Sequence, residues 1–358
     1  MDNNGIIDQR LWNQLISQPG IKTPAEVVSW LGAIQAQNYA SAKWSIGTRN
    51  PGITDTQVEQ AVIEKTVIRT WLMRGTLHFV AKADIRWMLE LLVPQLISRS
   101  TRRYRQLDLD DPTFEKSKEV FHRELMVVKQ LTRHEMILAL EKAKISTSGQ
   151  RGYHLLARAA QDGLICFGPQ RGKQQTFVLL DDWVPEAKPM ERRQALSELA
   201  FRYFSSRGPA TLKDFVWWSG LKAFDAEQGI SAVSSSLKNE EIDGQIYWMP
   251  SHHENVRESF SKTHLLPGYD EYLLGYKVRG AVVGKQDAAK ISPGNNGVFN
   301  PTIVINGRVA GIWKTHLKKD NLAIKSYPFV PFNKFEKAAF IKAAEEYGKF
   351  LGKPVVFN

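Results

Sequence analysis

The chain has 358 residues, of which 43% are hydrophobic, so a large buried core and roughly two to three domains are expected. The formal net charge of +11 favours a polyanionic partner and salt-dependent binding. No run of 18 apolar residues occurs, so no membrane span is expected, and the opening MDNNGIIDQRLWNQ is not expected to be a signal peptide. The single Cys166 excludes disulfides within the chain and cysteine-based zinc sites, which favours a reducing, cytoplasmic location.

One order of elements is predicted three times, without a close sequence repeat: a capped helix, a second helix, then two strands around a tight turn. The first copy spans about residues 7 to 81. LWNQLIS predicts a short helix, and TPAEVVSWLGAIQ predicts a second one, with Thr23 as N-cap and Glu26 completing a capping box. DTQVEQAVIEK predicts a third helix. TVIRTWLM and LHFVA then predict a strand pair around Arg74-Gly75-Thr76.

A helical connector is predicted over residues 82–106 despite Pro94. Near its end, Arg99, Arg102 and Arg103 share one face by the three- and four-residue spacing of a helix. Two interpretations stay open for these arginines. They form either a solvated face of a connector or an edge that contacts DNA phosphates.

The second copy, over about residues 115 to 185, is the clearest. Thr132 and Glu135 predict a capping box, and Gly163 predicts the end of the next helix. LICFG and QTFVLL predict a hairpin whose turn carries Arg171 and Lys173. Two helices followed by a hairpin with a basic tip are typical of a winged helix.

The third copy and the C-terminal part complete the chain. Over about residues 190 to 250, Thr211 caps LKDFVWWSG, AFDAEQGISAVSSSLKN predicts a helix, and Asp243-Gly244 predicts a two-residue hairpin turn. Residues 263–358 predict a small β-rich domain with a hairpin at Asn306-Gly307 and a final helix, FEKAAFIKAAEEYGKFL. The predicted fold class is therefore α+β.

The stretch IQAQNYA carries two glutamines, Gln35 and Gln37, near the end of an otherwise apolar predicted helix. On a continuing helix their side chains would point apart, whereas after a helix that ends near Ala36 they could face one way. A buried carboxamide costs free energy unless it finds partners. The pair is therefore either a satisfied structural network or a polar site.

Two amides could hold a nucleophilic water without adding charge, because a carboxamide both donates and accepts hydrogen bonds. An amide is a very poor general base, so such a site suits a reaction whose leaving group is already good. Hydrolysis of the sugar–base bond of a cationic, N-alkylated purine is such a reaction, since the base departs as a neutral molecule. Ordinary glycoside hydrolysis instead needs two carboxylates.

Other polar groups allow a structural and a functional interpretation. Arg74 and His78 lie on or beside a hairpin turn, where they would contact DNA or serve the wing itself. His252-His253-Glu254 lacks the spacing of a metal site, so no metal is predicted. Asp270 and Glu271, expected on a strand, would face opposite sides and so predict structural pairing with arginine. Phosphate-binding glycine loops are absent from the sequence, and no cofactor is predicted.

Four stretches together resemble the winged-helix DNA glycosylases of the AlkZ and YcaQ family: GAIQAQNYASAKWSIGTR, TWLMRGTLHFV, LLPGYDEYLLGYKVR and NGVFNPTIVINGRVAGIWK. The resemblance runs along almost the whole chain. Gln-Ala-Gln is similar to the AlkZ-type QxQ motif, whereas the YcaQ type carries an acid at the second position.

The resemblance implies three tandem winged-helix units and a β-rich C-terminal domain in one C-shaped chain, with boundaries at 1–110, 111–187, 188–258 and 259–358. It implies monofunctional excision of N7-alkylated purines, including bulky adducts or interstrand crosslinks in some relatives. Gln35 and Gln37 would position the water, and a hairpin, with Asn306-Gly307 as one candidate, would probe the minor groove. DNA contacts are expected from Arg74, His78, Arg99, Arg102, Arg103, Arg171 and Lys173.

Two functions follow as alternatives. The first is a monomeric glycosylase that acts on double-stranded DNA with an alkylated purine, in base excision repair. The second is a non-catalytic winged-helix DNA-binding protein or regulator, the commoner role of winged helices. Regulators usually dimerise on palindromes, whereas three units in one polypeptide suit a monomer on one site.

Overall fold

The computed structural model describes residues 1–357 except 19, 186–189, 252–261 and 296. Helix α1 spans Asn3–Asn13, and three runs of elements with one common order follow it. Each run consists of a helix, a two-residue strand, two helices and a hairpin, and the short strand pairs antiparallel with the last strand of the hairpin. The predicted order of two helices and a hairpin therefore recurs three times, together with a third helix and a two-residue strand in each run that the predicted order did not include.

The first run begins later than predicted. Its elements are α2 (Pro24–Trp30), β1 (Ile34–Gln35), α3 (Tyr39–Gly47), α4 (Asp55–Ile63), β2 (Val67–Trp71) and β3 (Leu77–Ala81). The predicted helix through TPAEVVSWLGAIQ is wrong beyond Trp30, because Gly32 adopts a left-handed φ of 72° and the chain then extends. Helix α3, which the sequence did not predict, starts directly after Asn38, whose side chain accepts from Ser41 N at 3.0 Å.

The connector α5 (Ile85–Gln106) is one helix with Pro94 inside it, as predicted. The second run comprises α6 (Asp111–Val128), β4 (Leu131–Thr132), α7 (Arg133–Lys142), α8 (Arg151–Gln161), β5 (Ile165–Arg171) and β6 (Gln174–Leu179), with α9 (Leu180–Trp183) after it. Strand β2 pairs with β5, which joins the first two runs in one six-stranded sheet of order β1-β3-β2-β5-β6-β4.

The third run comprises α10 (Arg192–Arg207), β7 (Ala210–Thr211), α11 (Leu212–Ser219), α12 (Ala223–Ala232), β8 (Leu237–Ile242) and β9 (Gln245–Pro250). Helix α12 ends earlier than predicted because residues from Leu237 onward pair as a strand with β9. Capping boxes open a helix in all three runs, at Thr23, Thr54, Thr132 and Thr211. These local signals fix the helix starts.

The C-terminal part is β-rich, as predicted. It comprises β10 (Thr263–Leu266), α13 (Glu271–Leu274), α14 (Ala288–Ile291), β11 (Thr302–Ile305), β12 (Arg308–Leu317), β13 (Leu322–Pro328), α15 (Lys334–Leu351) and β14 (Val355–Phe357), with one sheet in the order β10-β11-β12-β13-β14. Its core is continuous with the first run, because Trp313 and Phe340 share one buried cluster with Val27 and Val58. The described helices include none long and apolar enough to span a membrane.

The predicted hairpin turn at Asn306-Gly307 is present, and one side of it packs against the protein. Gly307 is buried, and the Tyr272 hydroxyl donates to its carbonyl at 2.7 Å. A Cβ at Gly307 would lie 2.0 Å from Ile7 Cγ2 of α1. Gly307 is thus covered by α1, whereas Asn306 and Arg308 on either side of it are exposed, and the turn stays a candidate for minor-groove contact.

Candidate active site

Gln35 and Gln37 lie on an extended segment and not on a helix. Gln35 is in β1, paired with His78 of β3, and Gln37 follows two residues later. Between them, Ala36 is fully buried: its N donates to the Leu77 carbonyl at 2.6 Å, and its carbonyl accepts from Arg69 at 2.8 Å. Gln37 lies in the bend that follows β1, and its side chain and that of Gln35 both reach residues 74–77.

Both carboxamides are anchored by the segment that joins β2 to β3. The Arg74 guanidinium donates to Gln35 Oε1 at 3.0 Å, and Leu77 N donates to Gln37 Oε1 at 3.3 Å. Because both partners can only donate, they fix which end of each amide is oxygen. Gln35 is 7% exposed while Gln37 is exposed, so the pair runs from a buried position to the surface. The second lone pair and the amide hydrogens can hold a water.

The Arg74 side chain makes its contacts with other residues of the protein. Its guanidinium bonds to Gln35 and to the Trp218 carbonyl, and it lies 4.9 Å from the ring centroid of Trp217. Burial, partly offset by Glu271, lowers the pKa of Arg74 to about 10, so the group stays charged at neutral pH. Its φ of 55° is left-handed, a conformation that costs a non-glycine residue roughly 1 kcal/mol or more. These contacts favour a role in holding Gln35 over the predicted DNA contact.

Glu271 connects this site to the rest of the fold. Its side chain is fully buried; Oε1 accepts from Gln35 N at 3.1 Å, and Oε2 accepts from Arg207 at 2.7 Å and from the Trp218 indole at 2.9 Å. The neighbouring Asp270 pairs with the fully buried Arg49 at 2.8 Å. The predicted pairing of both acids with arginine is confirmed, although they lie at the start of α13 and not on a strand.

His78 is fully buried, so the predicted contact with DNA is not possible in this conformation. Its Nδ1 lies 3.0 Å from the Thr76 carbonyl, which makes Nδ1 the donor of the neutral ring. Burial, followed by the charge of Arg74, lowers the pKa of His78 to about 3. The imidazole therefore stays uncharged at physiological pH and belongs to the packing behind the glutamines.

We expect the free energy of unfolding to fall as the pH is lowered from about 6.5 toward 4, because the unfolded chain then protonates His78 while the folded one does not. The slope from this group is at most about 1.4 kcal/mol per pH unit. Urea unfolding across this window should give a flatter curve for His78→Gln than for the wild type. His316→Gln, at an exposed position, is the control. Equal slopes for His78→Gln and the wild type would contradict the assignment.

The remaining predicted DNA contacts lie on the surface. Arg99, Arg102 and Arg103 are exposed on α5, and Arg103 bonds to Gln150 at 2.8 Å. At the β5–β6 turn Lys173 is exposed, whereas Arg171 pairs with Glu135 at 3.0 Å. Arg171 would have to leave this partner to reach a phosphate.

Metal chemistry finds no support in the described part of the chain, where no three or more metal-binding side chains cluster. His252-His253-Glu254 lies outside the described residues. Sequence reasoning missed Arg69, which donates to the Ala36 carbonyl, and Trp218, whose carbonyl accepts from Arg74 and whose indole donates to Glu271. An arginine within an otherwise apolar strand, VIRTW, was the available signal for Arg69.

Comparison with a solved structure identifies the fold first. The fold matches the structure of Streptomyces sahachiroi DNA glycosylase AlkZ with a TM-score of 0.83 over 100% of both chains, at 22% sequence identity. A curated relative, the interstrand DNA cross-link repair glycosylase of Streptomyces sahachiroi, is 26% identical in an alignment 342 positions long that covers 89% of this chain and 89% of the relative. The family model described as DNA glycosylase AlkZ-like matches residues 28–350, so the chain belongs to this family of DNA glycosylases. The resemblance drawn from the sequence is confirmed.

Proposed function

We propose that this protein hydrolyses the N-glycosidic bond of N7-alkylated purines in double-stranded DNA, with Gln35 and Gln37 holding the attacking water. The observation that carries the proposal is the anchoring of both carboxamides by neighbouring residues, Gln35 by Arg74 and Gln37 by Leu77 N. Glu271, the carboxylate bonded to this segment, is engaged by Arg207 and Trp218, so it is not a free base. The two carboxamides add no charge of their own, and they suit a substrate whose base already carries a positive charge, because such a base leaves without being protonated.

The chemistry needs no acid. The water oxygen forms a bond to C1′ while the C1′–N9 bond breaks. The electron pair of the broken C1′–N9 bond stays on the base and neutralises its positive charge. The water proton passes to solvent, and an abasic site remains. Without a lysine nucleophile in this scheme, the protein itself leaves the strand uncut. The curated relative is named for cross-link repair, which supports including bulky adducts or crosslinks among the substrates.

Binding would come from the repeated units. We assign the three runs as winged-helix units with boundaries near 1–110, 111–187 and 188–258, followed by a C-terminal domain at 259–358, in a C-shaped, cytoplasmic monomer. The exposed arginines of α5 and Lys173 at the β5–β6 turn are the proposed phosphate contacts, with Arg171 joining them on release from Glu135.

The test is incubation with a duplex that contains N7-methylguanine, followed by detection of released base and of alkali-labile sites. We expect release of the methylated base and no strand break before alkali treatment. Salt-sensitive binding without base release would instead favour the non-catalytic DNA-binding alternative. Strand cleavage without alkali would contradict the monofunctional mechanism.

Arg102→Ala is expected to weaken DNA binding at low salt. The plot of log affinity against log salt should become shallower by about one, the effect of losing one phosphate contact. Fluorescence anisotropy over a salt series measures this slope. Lys349→Ala, an exposed lysine on α15 paired with Glu346, is the matched control. An unchanged slope for Arg102→Ala would place α5 away from the DNA.

A further inference from the structure

A cavity of about 210 Å³ opens beside Gln37, where the first and second runs meet. Its lining combines aromatic rings and cations: Trp71, Tyr153, Phe167, Phe177, Arg69 and Arg133. Gln37 lines it as well, so the cavity is continuous with the proposed water site. Ligand cavities for drug-sized molecules start at about 300 Å³, so this one suits a single ring system.

The aromatic walls are held in place. The ring centroids of Trp71 and Phe167 are 4.9 Å apart, those of Phe167 and Phe177 are 4.7 Å apart, and all three rings are buried. The pairing of β2 with β5, at Arg69 and Phe167, fixes the junction between the first and second runs. Tyr153 alone is 37% exposed, and its hydroxyl accepts from the Trp71 indole at 3.2 Å. The cavity thus has a fixed floor and one aromatic ring at its mouth.

The charges of the cavity select against a cation. Both charged side chains in its described lining are arginines, and no carboxylate is among them. The Arg69 guanidinium lies 4.8 Å from the Phe167 ring centroid. An alkylated purine would be repelled here because it carries a positive charge. A neutral aromatic ring would be attracted, both by stacking and by the guanidinium groups.

We propose that this cavity binds a neutral aromatic ring carried by the alkyl group of the lesion, while the alkylated purine stays at Gln35 and Gln37. This inference rests on the proposed function and names a substrate class: N7-arylalkyl purines, favoured over N7-methyl purines. The same ring chemistry could also come from an unmodified base of the duplex, so the experiment separates these two sources.

The experiment compares N7-benzylguanine and N7-methylguanine duplexes in single-turnover release. Gln175→Trp places an indole into the cavity from its half-buried rim, and Gln174→Trp adds the same indole one residue away, outside the cavity lining. Gln175→Trp should slow release of the benzyl adduct by roughly tenfold, the effect of a filled apolar pocket. Release of the methyl adduct, and both reactions of Gln174→Trp, should change less than about twofold.

Binding provides a second readout that does not depend on catalysis. Duplexes with a 2′-fluorinated sugar, which resists loss of the base, should bind more tightly with the benzyl adduct, and Gln175→Trp should remove that difference. If this binding difference is found and no base is released from unfluorinated duplexes, the cavity assignment holds and the proposed function fails. Equal treatment of both adducts by the wild type overturns the cavity assignment. Equal weakening of both by Gln175→Trp assigns the cavity to a base of the duplex and also overturns it.

Discussion

Gln37→Ala is expected to lower the single-turnover rate of base release by on the order of a hundredfold to a thousandfold, the cost of removing one fixed polar group that acts on the reacting centre. The Gln37 carboxamide is exposed and held only at its oxygen by Leu77 N, so truncation removes a water ligand without opening the core. Affinity for the alkylated duplex should therefore stay close to the wild-type value.

The matched control for Gln37→Ala is Gln60→Ala. Gln60 is also exposed, on α4, and its amide bonds to Glu64 at 3.0 Å away from the site. Its removal should leave base release unchanged. Gln35→Ala should also abolish release, but it leaves Arg74 without its amide partner, so a loss of stability accompanies it. Wild-type rates in both Gln35→Ala and Gln37→Ala would falsify the assignment of the water site.

Glu271→Ala should lower the free energy of unfolding by about 3–5 kcal/mol, because it leaves the fully buried Arg207 without its counter-charge. The Trp218 indole loses its acceptor in the same step, and Gln35 N loses its side-chain partner. Urea unfolding monitored by circular dichroism measures the change.

Glu271→Gln should be milder, since an amide oxygen still accepts from one of these donors. Glu346→Ala, which removes the exposed partner of Lys349, should have no measurable effect. If Glu271→Ala unfolded at the same urea concentration as the wild type, the buried network would not stabilise the fold. A near-native Glu271→Gln that released base more slowly would further show that this carboxylate holds Gln35 in place.

Local sequence signals predicted much of the fold. Threonine capping boxes marked helix starts, and Asp243-Gly244 and Asn306-Gly307 marked turns, because each depends only on neighbouring residues. The early end of α2 had a comparable signal in Gly32, which was available but outweighed by the apolar periodicity of the helix. Asn38, the N-cap of α3, was likewise a signal present in the sequence.

The burial and contacts of the site residues could not be predicted from their neighbours in the sequence. Gln35, Gln37 and the basic residues are visible in the sequence, but the burial of His78 depends on the pairing of β3 with both β1 and β2. The internal bonding of Arg74 depends on Trp218, 144 residues further along the chain. The covering of Gly307 by α1 is also a contact between distant segments. Such contacts have no periodic pattern in the sequence.

The pairing of β2 with β5 has a mechanical consequence. The β2–β5 pairing links the first run to the second by hydrogen bonds. At the same junction, Arg69 contacts both the Ala36 carbonyl and the Phe167 ring. A motion that separated the first run from the second would have to break those hydrogen bonds. The first two runs are therefore held together rigidly, and under the proposed function the duplex would have to bend or unstack to bring its damaged nucleotide to Gln35 and Gln37.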